Sequence, residues 1–156
     1  MLVDAPPAVD RDAEREIAAR APDILDYWDI LRGARDYPGV DEVDRARVAG
    51  SWPNTVLLSF KTEIPQITRI GENDGEIEYT AMVTSWLMTR GRHAVKRGEP
   101  MEEEQKFPLS NGSARYRLLV LPILGKGSQS CDHALCQISR AAERSAVASF
   151  KRWLAG

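Results

Sequence analysis

ARYRLLVLPILGKGSQSCDHALCQIS, residues 114–139, decides the fold. It divides at GKGSQS (125–130), a glycine-containing hairpin loop between two runs of strand length. Within the first run, LLVLPIL (118–124) is apolar at consecutive positions. Side chains alternate faces along a strand, so this run is apolar on both faces, as a central strand is when both sides of its sheet are covered. In the second run, Cys131 and His133 point to one face and Cys136 to the other. Three metal ligands cannot converge from opposite faces of a strand. Zinc also prefers four ligands, and the only other histidine is His93. The spacing is not CxxC, so it offers no thioredoxin-like pair. Cys136 therefore reads as a small buried hydrophobe and His133 as a surface or rim residue.

The neighbouring segments build outward from this hairpin. SNGS (110–113) joins its first strand to MEEEQKFPL (101–109). The acidic run Glu102, Glu103 and Glu104 suits a solvated edge strand that resists pairing with other chains. No companion base or ligand marks it as catalytic. Upstream, the period turns helical over about 76–97, where Tyr79, Met82, Val83, Trp86, Leu87 and Arg90 share one broad face. Gly98 and Pro100 end that helix. ENDGE (72–76) is a turn centred on Asp74-Gly75, and TVLLSF (55–60) and IPQITRIG (64–71) read as strands. Residues 35–54 form a connection with turn signals and one short helical turn. Ile17, Ala21, Ile24, Trp28 and Leu31 recur at helical spacing, divided by Pro22 into segments of about 10–20 and 22–32 and stopped by Gly33. A last amphipathic helix, about 140–154, groups Val147, Phe150 and Leu154. Hairpin-joined strands grouped around a long helix make an α+β protein with an antiparallel sheet. The long helix covers one sheet face. The N-terminal helix, the C-terminal helix or a second subunit covers the other.

Composition narrows the function. A chain of 156 residues can bury the core of one domain. A net charge of −2 argues against nucleic-acid binding through a strong basic field. No apolar run approaches the roughly 20 residues that span a bilayer. The N-terminus has no basic-then-apolar leader, and two cysteines without a framework suit a reducing compartment. A soluble, cytoplasmic protein is expected. GxGxxG, GxxxxGK[ST] and GxSxG are all absent, and no enzymatic activity is expected.

In this order of elements the chain resembles a PAS domain, nearest to the small single-domain PAS proteins common in alphaproteobacteria. YWDILRGARDYPGVDEVD is similar to the family's opening helix and its arginine, proline and aspartate connection. SWPNTVLLSF and ITRIGE are similar to its first two strands, and residues 114–139 to its last hairpin. The likeness covers 23–139, with a tail and helical segment at 1–22 and a C-terminal helix at 140–156. Where members carry small helices and a glycine-containing turn before the long helix, this chain is short and irregular.

The resemblance implies a five-stranded antiparallel sheet with a long helix on one face and flanking N- and C-terminal helices. It also implies a small-molecule cavity between helix and sheet, for which Tyr79, Met82, Trp86, Tyr116 and Leu118 are the lining candidates. Members work in signal transduction, often by modulating histidine kinases, and often dimerise through flanking helices. The flavin branch uses a reactive cysteine beside a core helix, and no cysteine precedes residue 131 here. Haem-binding members use a histidine on the long helix. His93 is the one candidate, but Arg92, Lys96 and Arg97 surround it, so it reads as solvated and no cofactor is expected. The stripe Ile17, Ile24, Trp28 and Leu31 needs a surface to pack on, and a homodimer contact is the expectation. Two functions follow: an adaptor for a regulatory protein partner, or a sensor of a small apolar or aromatic ligand beside Trp86.

Overall fold

Asp23 starts the first helix by accepting the backbone N–H of Asp26 at 2.8 Å. The computed structural model describes residues 21 and 23–141. Helix α1 runs Ile24–Arg32 and stops at Gly33, whose φ of 59° favours glycine. The connection after it is more ordered than its turn signals imply. A 3-10 turn, Val40–Glu42, leads into α2, Arg45–Ser51, capped by the Asp44 carboxylate. At seven residues with Val48 alone buried, α2 is too short to show a period in the sequence. Arg35 holds this segment in place. Its guanidinium grips both oxygens of buried Glu42, at 2.6 and 2.9 Å, and donates to Leu31 O. Glu42 in turn accepts the Gly39 N–H.

The strands are β1 (Thr55–Ser59), β2 (Gln66–Arg69), β3 (Met101–Leu109), β4 (Gly112–Leu124) and β5 (Cys131–Arg140). They form one antiparallel sheet in the order β2-β1-β5-β4-β3. The hairpin 114–139 thus supplies the two strands nearest the middle, next to β1. β2 is shorter than its sequence run. The chain leaves it closely packed at Gly71, where a β-carbon would collide with the carbonyl oxygen of Trp52. The long helix α3 runs Ala81–Arg97. The Thr80 hydroxyl accepts the Val83 N–H and sets the start, so 76–80 is a lead-in and Tyr79 lies before the helix. Residues 70–80 contain no helix.

Both sheet faces are covered, as the doubly apolar β4 requires. On one side Val83, Trp86, Leu87 and Ala94 of α3 pack against Val56, Leu58, Tyr116, Leu118, Val120 and Cys136. On the other, Ile24, Trp28 and Leu31 of α1 and Val48 of α2 pack against Leu121, Ile123 and Leu135. The homodimer stripe is therefore corrected. Ile24, Trp28 and Leu31 are 1, 5 and 1% exposed within their own chain, and the Trp28 indole N–H donates to Pro122 O at 2.8 Å. The helix lies on the outer sheet face because its connection is pinned there: Leu124 N–H donates to Pro38 O, beside the Arg35–Glu42 pair. Covering the face from within one chain avoids the entropy lost on association. Ile17, the 10–20 segment and the C-terminal helix expected at 140–154 lie outside the described residues, except that β5 runs through Arg140.

Candidate functional site between the long helix and the sheet

The space expected to hold a ligand is lined by α3 and by the inward residues of β3, β4 and β5. Trp86 lies at its centre, 6% exposed. Its ring is 4.9 Å from that of Phe107, which is 5.9 Å from that of Tyr116. These tilted contacts are favourable aromatic geometry. Tyr116 and Leu118 are fully buried, and the Tyr116 hydroxyl accepts the backbone N–H of Glu78 at 2.9 Å. Three of the five cavity candidates, Trp86, Tyr116 and Leu118, thus meet in one core. Side chains of the chain itself fill that part of it.

The other two lie elsewhere. Tyr79 is half-buried at the margin, with the Arg69 guanidinium 4.9 Å over its ring. Burial pushes its phenol pKa up, against the opposing pull of the Arg69 charge. Met82 is 53% exposed, because Val83 takes the inward position in the first turn of α3. Met82 instead borders an open surface groove of about 440 Å³ between α3 and β3. Trp86, Ser85, Gln105 and Phe107 line that groove with it, and the Arg90–Glu103 pair at 2.6 Å joins helix to strand there. Trp86 Nε1 is buried with no hydrogen-bond partner among the described residues.

Phe107 was not among the sequence candidates. It sits in a polar run, and only the pairing of β3 with β4, which sets it opposite Ala114, shows that it faces the core. His93 is exposed on α3, where Gly91 and Ala94 take the buried positions. Cys136 is fully buried on the α3 side, and burial raises its thiol pKa steeply. Cys131 is half-buried at the start of β5, where a register shift sets it opposite Leu124 and out of step with His133. Burial, then the neighbouring Asp132 carboxylate, pushes its thiol up to about 11. His133 is held more firmly than a surface residue: its Nδ1 is 2.7 Å from Asp132 Oδ1, and Asp132 Oδ2 accepts the Ser128 hydroxyl at 2.7 Å.

The sheet order β2-β1-β5-β4-β3 with the long helix across one face is the α+β arrangement that the PAS resemblance implies. Comparison with family models and with curated proteins found no match. Among solved structures the chain is similar to a light-oxygen-voltage domain studied with a flavin analogue, at 13% identity over 69% of this chain and 90% of that one, with a TM-score of 0.45. It is also similar to the ligand-binding domain of the Pseudomonas aeruginosa PAO1 amino acid chemoreceptor PctC in complex with GABA, at 12% identity over 84% of this chain and 50% of that one, with a TM-score of 0.33. Among the described residues no helix is long and apolar enough to cross a membrane.

Proposed function

We propose that this PAS-type domain is a signalling adaptor that works by binding a regulatory protein, in the setting of histidine-kinase control. One observation carries the reading. The centre of the space between α3 and the sheet is taken by Trp86, Phe107, Tyr116 and Leu118, so a signal carried by surface contact suits the domain better than one carried by a large cofactor. Ile64, Ile67 and Met82 stay exposed and supply apolar anchors for such a contact. The homodimer belongs to this proposal with its contact moved off Ile24, Trp28 and Leu31.

The sensor reading also has an observation in its favour: the unpartnered Trp86 indole N–H stands beside the α3–β3 groove. A small aromatic ligand with an acceptor group would suit that position. Native mass spectrometry of the protein as purified separates the two readings. The adaptor gives the mass of the bare chain or of a multiple of it. A stoichiometric small-molecule adduct that Trp86→Ala abolishes would replace the adaptor with the sensor. The signalling setting is tested by adding the domain to purified histidine kinases from the same cell. If no kinase changes its autophosphorylation rate, that setting is wrong.

A further inference from the structure

On the sheet face opposite α3, beyond the end of the α1 packing, three polar side chains stand in one cross-strand row. Ser59 of β1 pairs with Gln66 of β2 on one side and with His133 of β5 on the other. Thr68 stands beside them, opposite Leu57. The 40–45 segment roofs this row with Val40, Asp41, Val43 and Arg45, and together they enclose a cleft of about 440 Å³. That volume lies at the small end of the range for small-molecule sites.

We propose that this cleft binds a small carboxylic acid that also carries a hydroxyl or amino group. Its hydrogen-bonding capacity is largely unspent. Among the described residues, the side chains of Arg45, Gln66 and Thr68 have no hydrogen-bond or ion-pair partner. The Ser59 hydroxyl only accepts, from the Lys61 N–H at 3.5 Å. His133 is fixed differently. With Nδ1 held by Asp132, and Asp132 held by Ser128, the ring is set in orientation and Nε2 is its free nitrogen. A carboxylate matches the guanidinium fork of Arg45, and the amide and hydroxyls of the row donate to the oxygens that remain. Asp41 is the one acidic side chain in the lining, and it accepts from a hydroxyl or ammonium beside the carboxylate. The cleft is separated from the α3 core by the sheet itself, so this assignment is independent of the adaptor reading.

Proton–nitrogen correlation spectra of the full-length protein, titrated with acetate and with L-lactate, test it. The expected result is saturable shifts at Ser59, Gln66, Thr68, His133 and the Arg45 side-chain N–H, larger with lactate. L-lactamide, of the same shape but uncharged, should leave these signals in place. Arg45 is exposed, so Arg45→Gln should fold normally, and it should weaken lactate binding about tenfold or more, the loss of one hydrogen bond to a charged group. Four results would each overturn the proposal: no saturable shift with either acid, equal shifts with lactamide, unchanged lactate affinity in Arg45→Gln, or shifts centred on the Met82–Trp86 groove.

Discussion

Two buried tryptophans of nearly equal exposure, Trp28 at 5% and Trp86 at 6%, differ in one respect. The Trp28 indole N–H reaches Pro122 O at 2.8 Å, and the Trp86 N–H reaches no acceptor among the described residues. Replacing each with phenylalanine removes the same atoms and leaves a similar void, so the packing losses largely cancel in a comparison. What is left is the N–H. At Trp28 its loss strands a buried carbonyl, which costs about 1–3 kcal/mol. At Trp86 its loss removes a buried unsatisfied donor and returns a penalty of the same order, about 1–3 kcal/mol. Taking the lower end of each, Trp28→Phe should be less stable than Trp86→Phe by about 2 kcal/mol. Urea unfolding followed by far-ultraviolet circular dichroism measures this without relying on the altered fluorophores, and it should be run at two protein concentrations. If Trp86→Phe costs as much as Trp28→Phe, the hydrogen-bond argument is wrong. If the Trp28→Phe penalty changes with protein concentration, Trp28 belongs to a contact between chains and the packing of α1 on its own sheet is refuted.

Gly71→Ala should destabilise by more than 1 kcal/mol, because the new methyl meets the Trp52 carbonyl, which is backbone and cannot swing aside; a neutral result in the same urea assay would show the loop to be adaptable. Asp132 gives a pH dependence: burial raises its carboxyl pKa, but the hydrogen bonds from Ser128 and His133 and the His133 charge outweigh that and leave it below the ordinary value. A depressed folded pKa means the stabilisation is fully present above about pH 4 and is lost as pH falls through the lower folded value, so acid unfolding of wild type should be steeper there than that of Asp132→Asn. Both thiols should resist alkylation in the folded protein at pH 8, Cys131 because its pKa stands near 11 and Cys136 because it is fully buried; rapid native labelling of either would contradict the packing of β5. Elemental analysis should find no zinc bound through Cys131 and Cys136, since Cys136 is fully buried in the apolar core and no group of three or more metal-ligating side chains gathers among the described residues; a stoichiometric zinc lost in Cys136→Ala would overturn that.

Much of the domain is legible along the chain because its signals are local. The period of two in 131–139 put Cys136 on the core side and His133 opposite, and the strand pairing places them so, but a register shift between Cys131 and His133 breaks the alternation at Cys131. The period of 3.6 in α3 put Trp86 inward, as packing does. The same period misled at Met82, where two residues near the helix start compete for one inward direction and Val83 takes it. Phe107 and the row Gln66–Ser59–His133 were illegible, because each depends on register between strands far apart in sequence. Asn54 is a further case: a buried amide with φ at 57° donating to Asp74 at 2.9 Å reads in sequence as an ordinary turn residue. The sequence by itself determined that β4 and the stripe of α1 each carry an apolar face needing cover, since hydrophobic burial is written in local pattern. Only the tertiary structure decided that each covers the other. Nothing local in a helical stripe tells its own sheet from a partner chain, and the choice follows from where the Arg35–Glu42 pair and the Pro38–Leu124 hydrogen bond anchor the connection.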